Sequence, residues 1–175
     1  MAITSPICNF GEKAKDFELP STSGKKISLT NIKGQKGTLI MFICNHCPYV
    51  NSVISALVAD SKYLETFGIK SVAIMSNDVN AYPEDSFDNM KLFAKKHNFF
   101  FPYLFDEDQS VAKKYGAVCT PDFFGFNQNL ELQYRGRIFA ARPTELSSAM
   151  QKISKTGRGP ENQFPSMGCS IKWKN

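Results

Sequence analysis

Residues 38–50 read TLIMFICNHCPYV: an apolar run, two cysteines two residues apart, then a proline. The run TLIMFI (38–43), preceded by Gly37, predicts a short strand buried on both faces. From Pro48 to about Phe67, apolar residues recur at Val50, Val53, Ile54, Leu57, Val58 and Leu64, the spacing of an amphipathic helix that Gly68 stops. Residues 69–75, IKSVAIM, predict the next strand, so this unit is strand–helix–strand with the two strands parallel.

Pro48 fixes where that helix begins. If Cys44 capped it, Pro48 would fall where the first backbone N–H closes onto the cap carbonyl, and proline has no N–H. A proline inside a helix costs about 3 kcal/mol; at the first helical position it costs little. The helix is therefore expected to start at Pro48, with Cys47 at the cap. There the sulfur faces free N–H groups and the positive end of the dipole, which favour a thiolate. Cys47 is the expected nucleophile, and Cys44 sits three residues upstream as its partner.

Downstream, a helix is expected from Pro83 to His97, with acidic residues at its start and lysines near its end. His97 reads as a cationic partner of that dipole. A short helix from Asp108 to Tyr115 stops at Gly116. Strand-like runs at 122–126 and 130–138 flank a turn at Asn127-Gln128-Asn129, and Pro143 opens a last helix to about Ser154. Residues 157–175 read as a tail or loop lying on the body, and residues 1–175 as one domain. The order is that of an α/β thioredoxin fold: a central mixed sheet flanked by helices, with an N-terminal extension and a helical insertion.

Composition narrows the function classes. Hydrophobic residues make up 42% of the 175 and charged residues 21%, which fits a globular domain with a sizeable core. The net charge of +5 is dispersed as lysine pairs, with no basic block for nucleic acid and no apolar run of membrane-spanning length. Five cysteines, an odd number, argue against a secreted disulfide framework, and the N-terminus lacks a leader pattern. A cytoplasmic protein with reduced thiols is expected. Cys8, in an N-terminus expected to be mobile, receives no role.

A C-x-x-C pair serves metal binding or thiol–disulfide chemistry. Zinc would need two more ligands, for which Cys119 and His46 are the candidates. A pair lying between a buried strand and a helix start points to redox chemistry. His46 reads either as a solvated loop residue or as a group tuning the thiolate.

Three stretches, GEKAKDFELPSTSGKKISL (11–29), KGTLIMFICNHCPYV (36–50) and YGAVCTPDFFGF (115–126), resemble the redoxins of the alkyl hydroperoxide reductase C and thiol-specific antioxidant (AhpC/TSA) family. The closest likeness is to its thioredoxin-like members with a CNHCPY stretch and a C-terminal GCSIKW, here 168–173. The resemblance implies that Thr120-Pro121 is a cis-proline loop beside the active thiol, whose backbone pairs with an extended substrate. Cys119 would then lie near Cys47, or serve only as a small core residue. Cys169 is a further candidate partner thiol, and Trp173 either anchors the tail or is a lone exposed aromatic.

The departures are specific. Peroxidases of the family carry threonine or serine three residues before the reactive cysteine, where this chain has Cys44. Their arginine aligns with Pro121. The leading expectation is thus a thiol–disulfide oxidoreductase that attacks through Cys47, resolved by Cys44 or else by Cys119 or Cys169, with thioredoxin or glutathione as reductant. A peroxiredoxin-like peroxidase acting on peroxide is the alternative. A zinc-holding or redox-sensing binding module is the third reading. No organic cofactor is implied.

Overall fold

The computed structural model describes residues 1–139 and 141–175. In chain order the elements are β1 (Ala2–Thr4), β2 (Glu18–Pro20), β3 (Lys26–Ser28), α1 (Leu29–Ile32), β4 (Gly37–Phe42), α2 (Pro48–Glu65) and β5 (Ile69–Met75). A 3₁₀ turn (Pro83–Asp85) leads into α3 (Phe87–Lys96), followed by β6 (Tyr103–Phe105), α4 (Ser110–Tyr115), β7 (Cys119–Thr120) and β8 (Asp122–Phe126). The chain closes with β9 (Leu132–Gly136), α5 (Glu145–Thr156) and β10 (Met167–Ser170).

The main sheet has the order β6-β5-β4-β8-β9. β4 pairs parallel to β5, with Leu39 opposite Ser71, and antiparallel to β8, with Leu39 opposite Gly125. This is the mixed sheet of the thioredoxin fold that the strand–helix–strand unit and the hairpin anticipate. Alternation along β4 divides the core in two. Leu39 and Met41 face α2, α3 and α5, whereas Ile40 and Phe42 face α1, α4 and the aromatic cluster around Tyr115. All six β4 residues are buried, as the uninterrupted apolar run requires.

Several boundaries differ from expectation. The segment after Pro83 is one 3₁₀ turn, and α3 starts only at Phe87 because Ser86 takes the cap, its hydroxyl accepting from Asn89 N at 3.2 Å. α5 likewise waits for its cap, Thr144, two residues earlier than its second helical residue, and runs to Thr156. His97 is not a cationic dipole partner: burial lowers its pKa, and its ring packs on Phe93 with centroids 4.5 Å apart.

The two chain ends depart most from the sequence reading. The tail is not merely a loop, since β10 runs between β1 and β7, antiparallel to both. β1 in turn gives the N-terminus a fixed place, and Cys8 is half-buried against the core on the Tyr115 side. Ser5 and Ser166 exchange bonds (Ser5 N to Ser166 O, 2.8 Å; Ser166 N to Ser5 Oγ, 3.0 Å). Beyond β10, the buried Gln109 side chain donates to Ser76 O at 2.7 Å and Lys172 O at 2.8 Å, and accepts from Lys174 N at 2.8 Å. Trp173 is 40% exposed, with the Lys113 ammonium 5.8 Å from its ring. Backbone and Gln109 contacts, rather than the indole, hold the tail.

Candidate active site

β4 ends at Phe42, and the five residues Ile43–Cys47 connect it to α2. Cys47 has extended φ/ψ of −69° and 122° and is the N-cap, with Pro48 at the first helical position, as the missing proline N–H dictates. Asn51 closes the first turn, its backbone N–H and its side-chain amide both donating to Cys47 O, at 2.9 and 3.0 Å.

The connection is braced by a residue that sequence reading passed over. Asp85, fully buried in the 3₁₀ turn, accepts from Asn45 N at 2.8 Å and, more weakly, from His46 N at 3.4 Å. Its other oxygen accepts from Asn77 Nδ2 at 2.9 Å. Tyr103 OH donates to Asn45 Oδ1 at 2.8 Å. The only sequence signal at Asp85 was its membership in a helix-start pattern, which explains an acidic residue there without any tie to a loop 40 residues away.

His46 stacks on Tyr82 with an interplanar angle of 6°, and its Nδ1 lies 2.6 Å from Asp85 Oδ2. That approach is too oblique to be a ring hydrogen bond, and it leaves the ring nitrogen in close contact with the carboxylate. Cys44, His46 and Asp85 put potential ligand atoms within 4.8 Å of one another. The zinc set anticipated from Cys119 does not assemble, because the Cys119 sulfur is directed at Pro121 O, 3.7 Å away. Asp85 is also committed to the loop N–H groups.

Both thiols of the pair are buried, Cys44 at 1% exposure and Cys47 at 0%. Cys47 Sγ donates to Thr120 O at 3.2 Å, and Cys44 Sγ lies 3.5 Å from Thr120 Oγ1. Cys47 is pulled down to about 4, first by the neighbouring Cys44 thiol, against the opposing effect of burial. The Val50 N–H and the Cys169 thiol and N–H add to the lowering. Cys44 moves the other way, because of the neighbouring Cys47, its own burial and the charge of Asp85. The helix start does place Cys47 at the cap, but the neighbouring thiol lowers it more than the helix N–H does. Ionisation forfeits the contact with Thr120 O, which cannot donate, and the donors around the sulfur outweigh it.

Thr120-Pro121 is a cis bond, and its loop adjoins Cys47 as the family resemblance implies. The expected open platform is absent, because β10 already occupies that edge: Cys169 pairs with Thr120 and Ser170 with Cys119. Gly168 makes this close seating possible, since a Cβ there would lie 2.0 Å from Thr120 O. Cys169 is partly exposed and packs against the same core cluster as Cys44 and Cys47. Burial pushes Cys119 up to about 12, and Asp122 beside it is paired with Arg135 at 2.9 Å. The structure thus gathers Cys44, Cys47, Thr120, Pro121 and Cys169, with His46 at the rim. Cys119 lies near enough to feel the Cys47 and Cys169 charges, as expected, but its buried sulfur is directed at Pro121 O.

Relatives share this architecture. The crystal structure of an uncharacterized conserved protein from Geobacillus kaustophilus superposes with a TM-score of 0.93 at 42% identity, covering 99% of this chain and 97% of that one. Thiol-disulfide oxidoreductase ResA of Bacillus thuringiensis is 28% identical over 121 residues, 65% of this chain and 61% of that protein. Peroxiredoxin Bcp of Escherichia coli is 25% identical over 115 residues, 66% and 69% of the respective lengths. The family model described as AhpC/TSA matches residues 10–139, which include the buried strand, the capping cysteine and the cis-proline loop. With the family's fold and its thiol at a helix start both present, the chain belongs to the AhpC/TSA family.

Proposed function

We propose that the protein is a thiol–disulfide oxidoreductase working through the Cys47 thiolate. The observation that carries this reading is the placement of two buried thiols against one cis-proline loop at the start of α2: Cys47 is the N-cap with its sulfur 3.2 Å from Thr120 O, and Cys44 Sγ lies 3.5 Å from Thr120 Oγ1, an environment that lowers Cys47 and raises Cys44. Cys47 attacks one sulfur of a disulfide, the other leaves as a thiolate, and Cys44 then displaces the first by attacking Cys47. The product is a Cys44–Cys47 disulfide, which a thiol reductant such as thioredoxin or glutathione returns to the dithiol. A cytoplasmic setting belongs to the same proposal. The similarity to ResA, named a thiol-disulfide oxidoreductase, supports it.

Peroxiredoxin activity is the second reading, favoured by the similarity to peroxiredoxin Bcp. Against it, Cys44 stands where the family's peroxidases carry a hydroxyl, and Pro121 where they carry arginine. The groups lowering Cys47 are thiols and N–H donors. Arg135 is engaged with Asp122 and stacks on Phe124 at 4.3 Å. Stopped-flow oxidation separates the two readings. Oxidised glutathione should form the Cys44–Cys47 disulfide readily and hydrogen peroxide slowly; the reverse order makes the protein a peroxidase.

A further inference from the structure

Cys47 is fully buried, and β10 pairs with β7 along the loop that its sulfur touches. The strand is tied at both ends, by Ser5 before it and by Val118, Asn77 and Gln109 after it (Ile171 N to Val118 O, 2.9 Å; Lys172 N to Asn77 Oδ1, 2.9 Å). Opening it would break this whole set together. Cys169 lies opposite Thr120 in the β10–β7 register, and Thr120 O is the group 3.2 Å from Cys47 Sγ. Cys169 packs against the buried cluster that contains Cys44 and Cys47. Of the three gathered thiols it alone is partly exposed. The strand thus holds the backbone edge an extended disulfide partner would use, and carries a cysteine at the reacting position.

We propose that Cys169 is a relay thiol, passing disulfides between solvent and the buried Cys44/Cys47 pair. The inference rests on the exchange reading given above and adds the route by which a small disulfide enters. Cys169 as thiolate attacks one sulfur of an external disulfide RSSR, and one RS⁻ leaves. Cys47 thiolate then attacks Cys169 Sγ, expelling the second RS⁻ and forming a Cys47–Cys169 bond. Cys44 attacks Cys47 Sγ, giving the Cys44–Cys47 disulfide and restoring Cys169. Two protein thiols are oxidised and one RSSR is reduced to two RSH, which carry the protons the protein thiols gave up. Burial and the neighbouring Cys47 push the Cys169 thiol up, while Lys172 pulls it down, so the entry step is the slow one.

The test treats the reduced full-length protein with oxidised glutathione and maps disulfides over time by mass spectrometry. Cys169→Ser should slow formation of the Cys44–Cys47 disulfide at least tenfold. A loosened β10 would uncover Cys47 and speed the reaction, so slowing has no merely structural explanation. Cys44→Ser should stop at a Cys47–Cys169 disulfide, and Cys47→Ser at a Cys169–glutathione adduct. An undiminished rate in Cys169→Ser overturns the relay alone, as does a Cys47–glutathione adduct with free Cys169 in Cys44→Ser. If the wild-type protein forms no Cys44–Cys47 disulfide, the exchange reading falls and the relay with it.

Discussion

Asp85 Oδ1 accepts the backbone N–H of Asn45 at 2.8 Å, so a carboxylate from the turn before α3 holds the loop that carries Cys44 and Cys47. Its second oxygen faces His46 and Asn77, and its charge helps keep the proton on Cys44.

Removing that carboxylate should therefore act on stability and on chemistry together. Asp85→Ala leaves the Asn45 N–H and the Asn77 amide without their acceptor, at about 1–3 kcal/mol for each unsatisfied buried donor. Urea denaturation should show a loss on the order of 2–4 kcal/mol. Asp85→Asn should lose less stability but lower the Cys44 pKa, because the negative charge that helps hold its proton is gone. An unchanged thiolate titration at 240 nm in Asp85→Asn would remove the charge argument.

The pair itself gives a sharper test of what lowers Cys47. If the Cys44 thiol is the largest cause, Cys44→Ala should raise the Cys47 pKa by at least about one unit. If the helix start alone were responsible, the value would stay near 4. Iodoacetamide alkylation followed from pH 3 to 8 reads this directly. In the wild type, Cys47 should be alkylated first at mildly acidic pH once reagent has access.

A depressed thiol pKa also stabilises the folded reduced state. Between about 4 and the usual thiol value near 9, the unfolded chain binds a proton at Cys47 that the folded chain does not. This contribution is complete above the unfolded value and is lost as pH falls through about 4. The stability advantage of reduced wild type over Cys47→Ser should thus grow as pH rises from 4 to 9, measured as urea midpoints. For the same reason the Cys44–Cys47 couple should be more oxidising than the roughly −270 mV of thioredoxin. Equilibration with glutathione buffers checks the sign, and a more negative potential contradicts it.

Gly168 controls how closely β10 can sit on the cis-proline loop. A Cβ there meets Thr120 O at 2.0 Å and the Thr120 carbonyl carbon at 2.6 Å, both backbone atoms that cannot swing aside. Gly168→Ala should lift the strand, raise hydrogen exchange at Ser170 and Ile171, and speed alkylation of Cys47 at least severalfold. Equal alkylation rates in the two proteins would mean that β10 does not limit access to Cys47.

The buried Arg135–Asp122 pair offers a test beyond the thiols. Arg135→Ala leaves Asp122 uncompensated and should cost about 3–5 kcal/mol at neutral pH. Burial already raises Asp122 to about 6 with the arginine present, and losing the arginine raises it further. Above about 6 the variant's folded state then holds a proton at Asp122 that the wild type has lost, so the variant's deficit should shrink as pH falls toward 6 and level off below it.

Local physics made part of this protein legible from its chain. The uninterrupted apolar run of β4, the 3.6-residue spacing of α2 and the missing N–H of Pro48 each act within a few residues. Together they determine the strand–helix–strand unit and put Cys47, not Cys44, at the cap. The rest of the site depends on pairings between distant segments. Asp85 reaches Asn45 across 40 residues, and Cys47 meets Thr120 across 73. Short strands such as β1, β7 and β10 are too brief to show any periodicity, and only their mutual hydrogen bonding makes them strands. Gly168, Gln109 and the register of β10 therefore acquire meaning only in the folded molecule. There they decide that Cys47 is covered and that Cys169 lies opposite the Thr120 its sulfur touches.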